Sequence, residues 1–266
     1  MSTRPAHLID SGFAPVNGIT MYYERHGRAD GVPLVLLHGG GSTIDVTFSK
    51  VLPEFARNRP VIAVEEQGHG RTTDRDAPVA FESTADDVAA LLRYLGVGLA
   101  DVFGFSNGAS AGLQMAIRHP QIVRKLVFAS SFTRRDGAQA QLWEFIAQAD
   151  FSNMPQPLKD AFLRVTPDEA RLRIMHDKDA ARMRGFVDVP NELVRSVRAQ
   201  TLIVLGDRDV ARPEHAVELT HQIAGARLLI LPGGHGDYLG EAVMTQKDSS
   251  YPRLTARLIE EFLDAE

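Results

Sequence analysis

Short, almost wholly apolar runs alternate along this chain with stretches whose apolar residues recur every three or four positions. The first pattern is that of strands buried on both faces, the second that of helices with one covered face. "GITMYYERHG" alternates weakly and predicts an early strand, antiparallel to its neighbours. "VPLVLL", "RPVIAV", "ADVFGF", "RKLVFASS", "TLIVLG" and "ARLLIL" predict buried strands. Between them, "IDVTFSKVLPEFARN" has helical spacing interrupted at Pro53. "STADDVAALLRYLGV" predicts a helix with Ser83 or Thr84 as N-cap and Gly96 just past its end. "NGASAGLQMAIRHP", "PEHAVELTHQIAG", with Pro213 in its first turn, and "YPRLTARLIEEFLDAE" predict further helices. Strand and helix in turn imply a mostly parallel sheet covered on both faces.

One stretch breaks that rhythm. From residue 132 to 199 there is no buried-strand run, only helical pieces at 143–149, 158–165, 168–175 and 180–184 punctuated by Pro155, Pro157, Pro167 and Pro190. The division that follows is a core domain of residues 1–131 and 200–266, with a helical cap, 132–199, inserted over the carboxyl edge of the sheet. In open α/β sheets ligands bind at that edge.

Composition narrows the picture. Lys and Arg number 29 against 34 Asp and Glu, and no basic run exceeds two residues, so nucleic acid is not an expected partner. The chain has no cysteine, which removes disulfides, cysteine–zinc sites and a thiol nucleophile. No H-E-x-x-H or H-x-x-x-H occurs, and His215 and His221 do not share a helix face, so no catalytic metal is expected. The opening "MSTRPAHLIDSGFAPVNG" lacks the apolar core of a signal peptide, and no apolar run reaches the ~20 residues needed to span a bilayer. A cytoplasmic protein with no membrane partner is the expectation. A homodimer is allowed, because no residue pattern specifies the assembly state.

The candidate chemistry centres on "GFSNGAS", where a strand pattern turns into a helix pattern at Ser106. A tight turn there would push the hydroxyl above the sheet edge and aim helix N-terminal amides at a developing oxyanion. It would also bring strand and helix close together, which demands small residues two before and two after the serine. These are Gly104 and Gly108. A hydroxyl needs a base to become a nucleophile, and the base needs an orienting acid. Asp207 and Asp209 follow one later strand and His235 the next, in the chain order acid then histidine that such a turn requires.

With "LVLLHGGGS", "EEQGHGRT", "VFGFSNGASAGLQMAIRHP", "TLIVLGDRDVARP" and "LPGGHG", the chain resembles the α/β-hydrolase fold family from about residue 12 to its end, least so in the cap. The resemblance implies an eight-stranded sheet and a cofactor-independent hydrolase. Ser106 would attack, His235 would take its proton, and Asp209 would hold the imidazole; Asp207, nearer its strand, is the rival acid. It further implies an oxyanion hole from the backbone N–H groups of Asn107 and Gly40. Serine at the nucleophile position argues against the branches that form an ester on a carboxylate. Glu66 stands where relatives often have Asp, and reads as structural. The glycine-rich loop lacks the lysine of a P-loop, and no G-x-G-x-x-G follows a strand.

The expected substrate is a small carboxylic ester or lactone, cleaved through an acyl-enzyme. C–C bond hydrolysis of a diketone-type substrate and perhydrolysis are alternatives on the same three residues, and a non-enzymatic ligand receptor is a third class. Candidate pocket residues are Phe132, Trp143, Phe145, Met154, Phe162, Met175, Met183, Phe186 and Tyr238. Their apolar character suggests an uncharged or weakly polar small-molecule substrate. Arg134 and Arg135 follow the strand before the cap and could meet a carboxylate, although arginines so placed are more often solvated.

Overall fold

The computed structural model describes residues 8–243 and 249–265. Residues 1–7, the start of the stretch weighed above as a leader, lie outside them. Eight strands form one sheet: β1 (Leu8–Val16), β2 (Ile19–Gly27), β3 (Leu34–Leu37), β4 (Pro60–Val64), β5 (Ala100–Phe105), β6 (Val123–Ala129), β7 (Gln200–Gly206) and β8 (Arg227–Leu231). Ten α-helices accompany them: α1 (Ile44–Phe48), α2 (Leu52–Phe55), α3 (Phe81–Tyr94), α4 (Asn107–Arg118), α5 (Ala140–Ala147), α6 (Gln156–Val165), α7 (Glu169–Arg184), α8 (Asn191–Arg195), α9 (Pro213–Gln222) and α10 (Tyr251–Asp264). The strand order is β1-β2-β4-β3-β5-β6-β7-β8. β1 and β2 run antiparallel, β2 pairs antiparallel with β4, and the pairs from β4 to β8 are all parallel.

The central strands are apolar throughout because helices cover both their faces. One core layer gathers Val35, Leu37, Val102, Leu126 and Ile203 with α3 and α4; the other gathers Leu36, Phe103, Val127 and Val204 with α1, α2 and α10.

Three local features differ from expectation. β1 was not foreseen: its outward positions are partly exposed and Ser11, Gly12 and Pro15 dilute its pattern, yet Asn17 and Gly18, both at positive φ, close it onto β2 as a tight hairpin. α3 starts earlier than Ser83 or Thr84. Its N-cap is Ala80, and the Ser83 hydroxyl accepts from the Ala80 amide at 3.2 Å. The pieces at 168–175 and 180–184 are one helix, α7, because no glycine or proline interrupts residues 169–184; the Asp168 carboxylate caps it by accepting from the Arg171 amide at 3.0 Å. Pro53 splits the early helical stretch into α1 and α2 and stands in the first turn of the second.

Between β6 and β7 lie α5 to α8, in place of a strand. They carry a small core of their own, Met154, Phe162, Leu172 and Met175. The loops after β3, β5, β6, β7 and β8 all leave the carboxyl edge of the sheet beneath them.

Candidate active site

Ser106 links β5 to α4 with φ 55 and ψ −120, a conformation a non-glycine residue holds only under constraint. Strain of this kind costs about 1–3 kcal/mol. The flanking glycines make the turn fit. A Cβ on Gly104 would lie 2.2 Å from the Gly108 carbonyl oxygen, and one on Gly108 would lie 2.2 Å from the Leu37 carbonyl oxygen. Any side chain at either position would force α4 away from the sheet and lower the serine.

His235, in the loop after β8, places Nε2 3.1 Å from Ser106 Oγ and Nδ1 2.7 Å from Asp209 Oδ1. The carboxylate therefore fixes the tautomer: Nδ1–H donates to it, and Nε2 is free to accept from the serine hydroxyl. Asp209 itself accepts from the amides of Gly206 at 3.1 Å and Val210 at 2.7 Å and from the Ser130 hydroxyl. Burial pushes the Asp209 carboxyl up, but the charge and hydrogen bond of His235 outweigh it and hold the group below its ordinary value. Burial alone would lower His235; Asp209 overrides this and raises the imidazole above its ordinary value. Asp207 does not reach the histidine. Its carboxylate accepts from the Gly233 amide at 2.8 Å and so ties the β7 loop to the β8 loop.

The loop after β3 is braced from below. His38 donates from Nδ1 to the Gly39 carbonyl at 2.8 Å and accepts at Nε2 from the Glu66 amide at 3.1 Å. Burial lowers its pKa to about 4, which keeps the ring neutral. Gly40 faces the same cavity as Ser106 and Asn107. A Cβ on Gly40 would lie 2.4 Å from Asn107 Nδ2 and 2.6 Å from Asp179 Oδ2, so a side chain there would displace that pair.

Those two contacts expose a second charged group under the cap. Asp179 of α7 accepts from Asn107 Nδ2 at 3.3 Å and from Arg182; Arg182 also donates to Glu66 at 3.0 Å, and His69 Nε2 lies 3.8 Å from the carboxylate. Burial opposes the charge on Asp179, but Arg182 and His69 hold its carboxyl far below the usual range. Sequence reading placed Glu66 and Asn107 but missed Asp179 and Arg182. Their three-residue spacing on a helix is the local signal that could have paired them.

A cavity of about 440 Å³ opens above Ser106 and His235. Phe132, Phe145, Met183 and Phe186 line it, with Leu142, Ile146, Val210, Gln141 and the hydroxyls of Ser110 and Ser131, which stand 2.9 Å apart. The other pocket candidates lie elsewhere. Trp143 stands behind the wall, its ring 5.4 Å from Phe132 and 5.6 Å from Phe186. Met154 borders a depression beside Gly41 that adjoins the cavity and shares Phe145, Ile146 and Met183 with it, while Phe162 and Met175 fill the cap's own core. Tyr238 is fully buried under the β8 loop, its hydroxyl 2.6 Å from Ser130 Oγ, so it props Ser130 beneath Asp209 and meets no ligand. Arg134 is paired with Asp136 and Glu218, and Arg135 stacks over Trp143; neither faces the cavity. Among the described residues no cluster of three or more His, Asp or Glu side chains could hold a metal ion, and no helix is long and apolar enough to cross a membrane.

A mostly parallel eight-stranded sheet carrying Ser, His and Asp at three strand ends defines the class, and the comparisons agree. The family model for the alpha/beta hydrolase fold matches residues 32–172, so the chain belongs to that family and is a hydrolase of that fold. It is 28% identical over 248 residues to the pimeloyl-[acyl-carrier protein] methyl ester esterase of Neisseria meningitidis serogroup C, covering 82% of this chain and 93% of that one. It is 30% identical to the 2-hydroxymuconate semialdehyde hydrolase of Pseudomonas sp. strain CF600, covering 82% and 90%. The crystal structure of the enol-lactonase from Burkholderia xenovorans LB400 superposes with a TM-score of 0.74 at 19% identity, over 95% of this chain and 100% of that one.

Proposed function

We propose that the protein is a serine hydrolase that cleaves small, uncharged carboxylic esters or lactones through an acyl-enzyme on Ser106. The observation that carries this reading is the continuous relay from Ser106 Oγ to His235 Nε2, and from His235 Nδ1 to Asp209 Oδ1. Ser106 attacks the ester carbonyl as its proton passes to His235, and Asp209 stabilises the imidazolium. The backbone N–H groups of Gly40 and Asn107 receive the oxyanion. The alcohol leaves with the proton from His235. Water, deprotonated by the same nitrogen, then releases the acid and restores the serine.

Neutral substrates are favoured by the cavity wall. No lysine or arginine is among the described residues that line it, and its one carboxylate outside the relay, Asp179, is already paired. An anionic substrate would lose its hydration there without gaining a counter-charge. The kinship to a 2-hydroxymuconate semialdehyde hydrolase supports a second reading, C–C bond hydrolysis on the same serine. The missing cation weighs against it for carboxylate-bearing substrates.

The test is labelling with a fluorophosphonate, mapping of the modified residue, and turnover of p-nitrophenyl esters beside a ring-cleavage product. Label on Ser106, ester turnover, and a loss of about six orders of magnitude in Ser106→Ala are the expected results. An unchanged rate in Ser106→Ala would sink the proposal.

A further inference from the structure

A second and larger cleft, about 670 Å³, lies on the outer side of α7, between that helix and the loop of residues 76–82. Its wall is mostly apolar: Pro78, Val79, Phe81, Ala181, Phe186 and Val187. Among the described residues, Phe186 alone lines both this cleft and the cavity over Ser106. Helix α7 forms the rest of the partition, with Asp179 and Met183 facing the cavity and Lys178, Ala181 and Arg182 facing the cleft.

The Phe186 ring is held by other rings. Phe132 lies 5.2 Å away, Trp143 5.6 Å and Phe81 6.4 Å, centroid to centroid. Its backbone amide donates to the Met183 carbonyl at 3.2 Å. Phe186 follows the C-terminus of α7, in the irregular segment 186–190. The charges around the cleft are not disposed to bind an anion. Lys178 already donates to Asp74 at 2.6 Å and to the carbonyls of Arg75 and Ala77, Arg182 is paired with Asp179 and Glu66, and the other charged lining groups are Asp76, Glu82 and Asp177.

We infer that Phe186 limits the length of the substrate, and that the cleft behind it is a subsite for an extended, uncharged aliphatic chain that enters past that ring. The inference rests on the ester-hydrolase reading for its substrate. The space itself is independent of that reading. An apolar chain crossing the position of Phe186 would exchange water for an apolar wall, a gain that grows with each methylene. With the ring in place, a chain that outgrows the inner cavity does not reach the larger cleft.

The experiment compares wild type, Phe186→Ala and Phe186→Leu on p-nitrophenyl esters from acetate to decanoate. Wild type should prefer the short esters. The ratio of kcat/KM for decanoate to that for acetate should rise at least tenfold in Phe186→Ala and by less in Phe186→Leu, which also serves if the alanine variant does not fold. A ratio unchanged in a folded variant would overturn the inference. Trp143, the chain's one tryptophan, lies against Phe186 and supplies a second readout that needs no turnover. Titration with 1-decanol should change its emission at concentrations at least tenfold lower in the variant than in wild type, and equal midpoints would again overturn the inference. If no ester is turned over by wild type, the serine-hydrolase reading fails, while the decanol titration still decides whether the cleft opens.

Discussion

Two buried aspartates lie near Ser106, and they are built for different work. Asp209 belongs to the sheet; its partner is His235, which on the proposed mechanism takes up and returns a proton. Asp179 belongs to the cap; its main partner is Arg182, which keeps its charge at any pH the protein meets. Both carboxyls are held below their ordinary value against burial. The difference lies in what the partner does next. The histidine pair can pass a proton and return to its starting state. The arginine pair can only hold position, and it does so between α7, Glu66 and the first residue of α4.

The largest expected effect tests the first half of that contrast. Asp209→Asn should keep the fold but lower kcat/KM about 10⁴-fold, because an amide can no longer impose the tautomer that leaves Nε2 free. Ester kinetics beside circular dichroism read both sides, and a variant within tenfold of wild type would erase the distinction. Asp179→Ala should do the reverse and weaken the fold first. Breaking a buried ion pair costs about 3 kcal/mol even at the lower end, which suits a site where Glu66 still faces Arg182. For a chain of this size that is a fall of roughly 6–12 °C in thermal midpoint. An unchanged midpoint would remove Asp179 from the role of brace.

The smallest effect sharpens the comparison through pH. Activity needs neutral His235, so kcat/KM should rise with pH, with a midpoint above 6.5, since Asp209 raises the imidazole against burial. Glu241, buried nearby, adds to that rise, and its own carboxyl is pushed by burial up to about 7. Glu241→Gln should therefore move the midpoint downward by a fraction of a unit. The sign for stability is opposite to that of a salt-bridged acid. A raised carboxyl pKa favours the folded state at low pH and disfavours it progressively as pH climbs from 4.5 through about 7. Glu241→Gln should then raise the thermal midpoint more at pH 8 than at pH 5, and equal gains at both would exclude ionisation as the cause.

Much of the core was legible because its strands are continuous apolar runs and its turns are marked by glycine. The Gly104–Ser106–Gly108 spacing carries a steric requirement, and residues fixed by close approach can be read one chain at a time. β1 escaped because only one side of it is covered, and Asp10, Ser11 and Gly12 look like a loop when read alone. In the cap, residue type does not separate a ligand-facing phenylalanine from a core one: Phe132 and Phe162 differ only in which way their backbones turn them. Asp179 was illegible for a different reason. Charged residues dominate α7, and the partners that bury the charges of its inner face, Asn107 and Glu66, lie 72 residues from Asp179 and 116 from Arg182 respectively.

The tie between α7 and the core bears on how such a cap could be exchanged between relatives. An insertion joined to its host only by two chain crossings could be transplanted as a cassette. Here the graft would carry Asp179 and Arg182 away from Asn107 and Glu66, so the recipient would bury that ion pair without the amide and carboxylate that hold it here. A working chimera would have to move all four residues together, so the natural unit of recombination in this molecule crosses the boundary between cap and sheet.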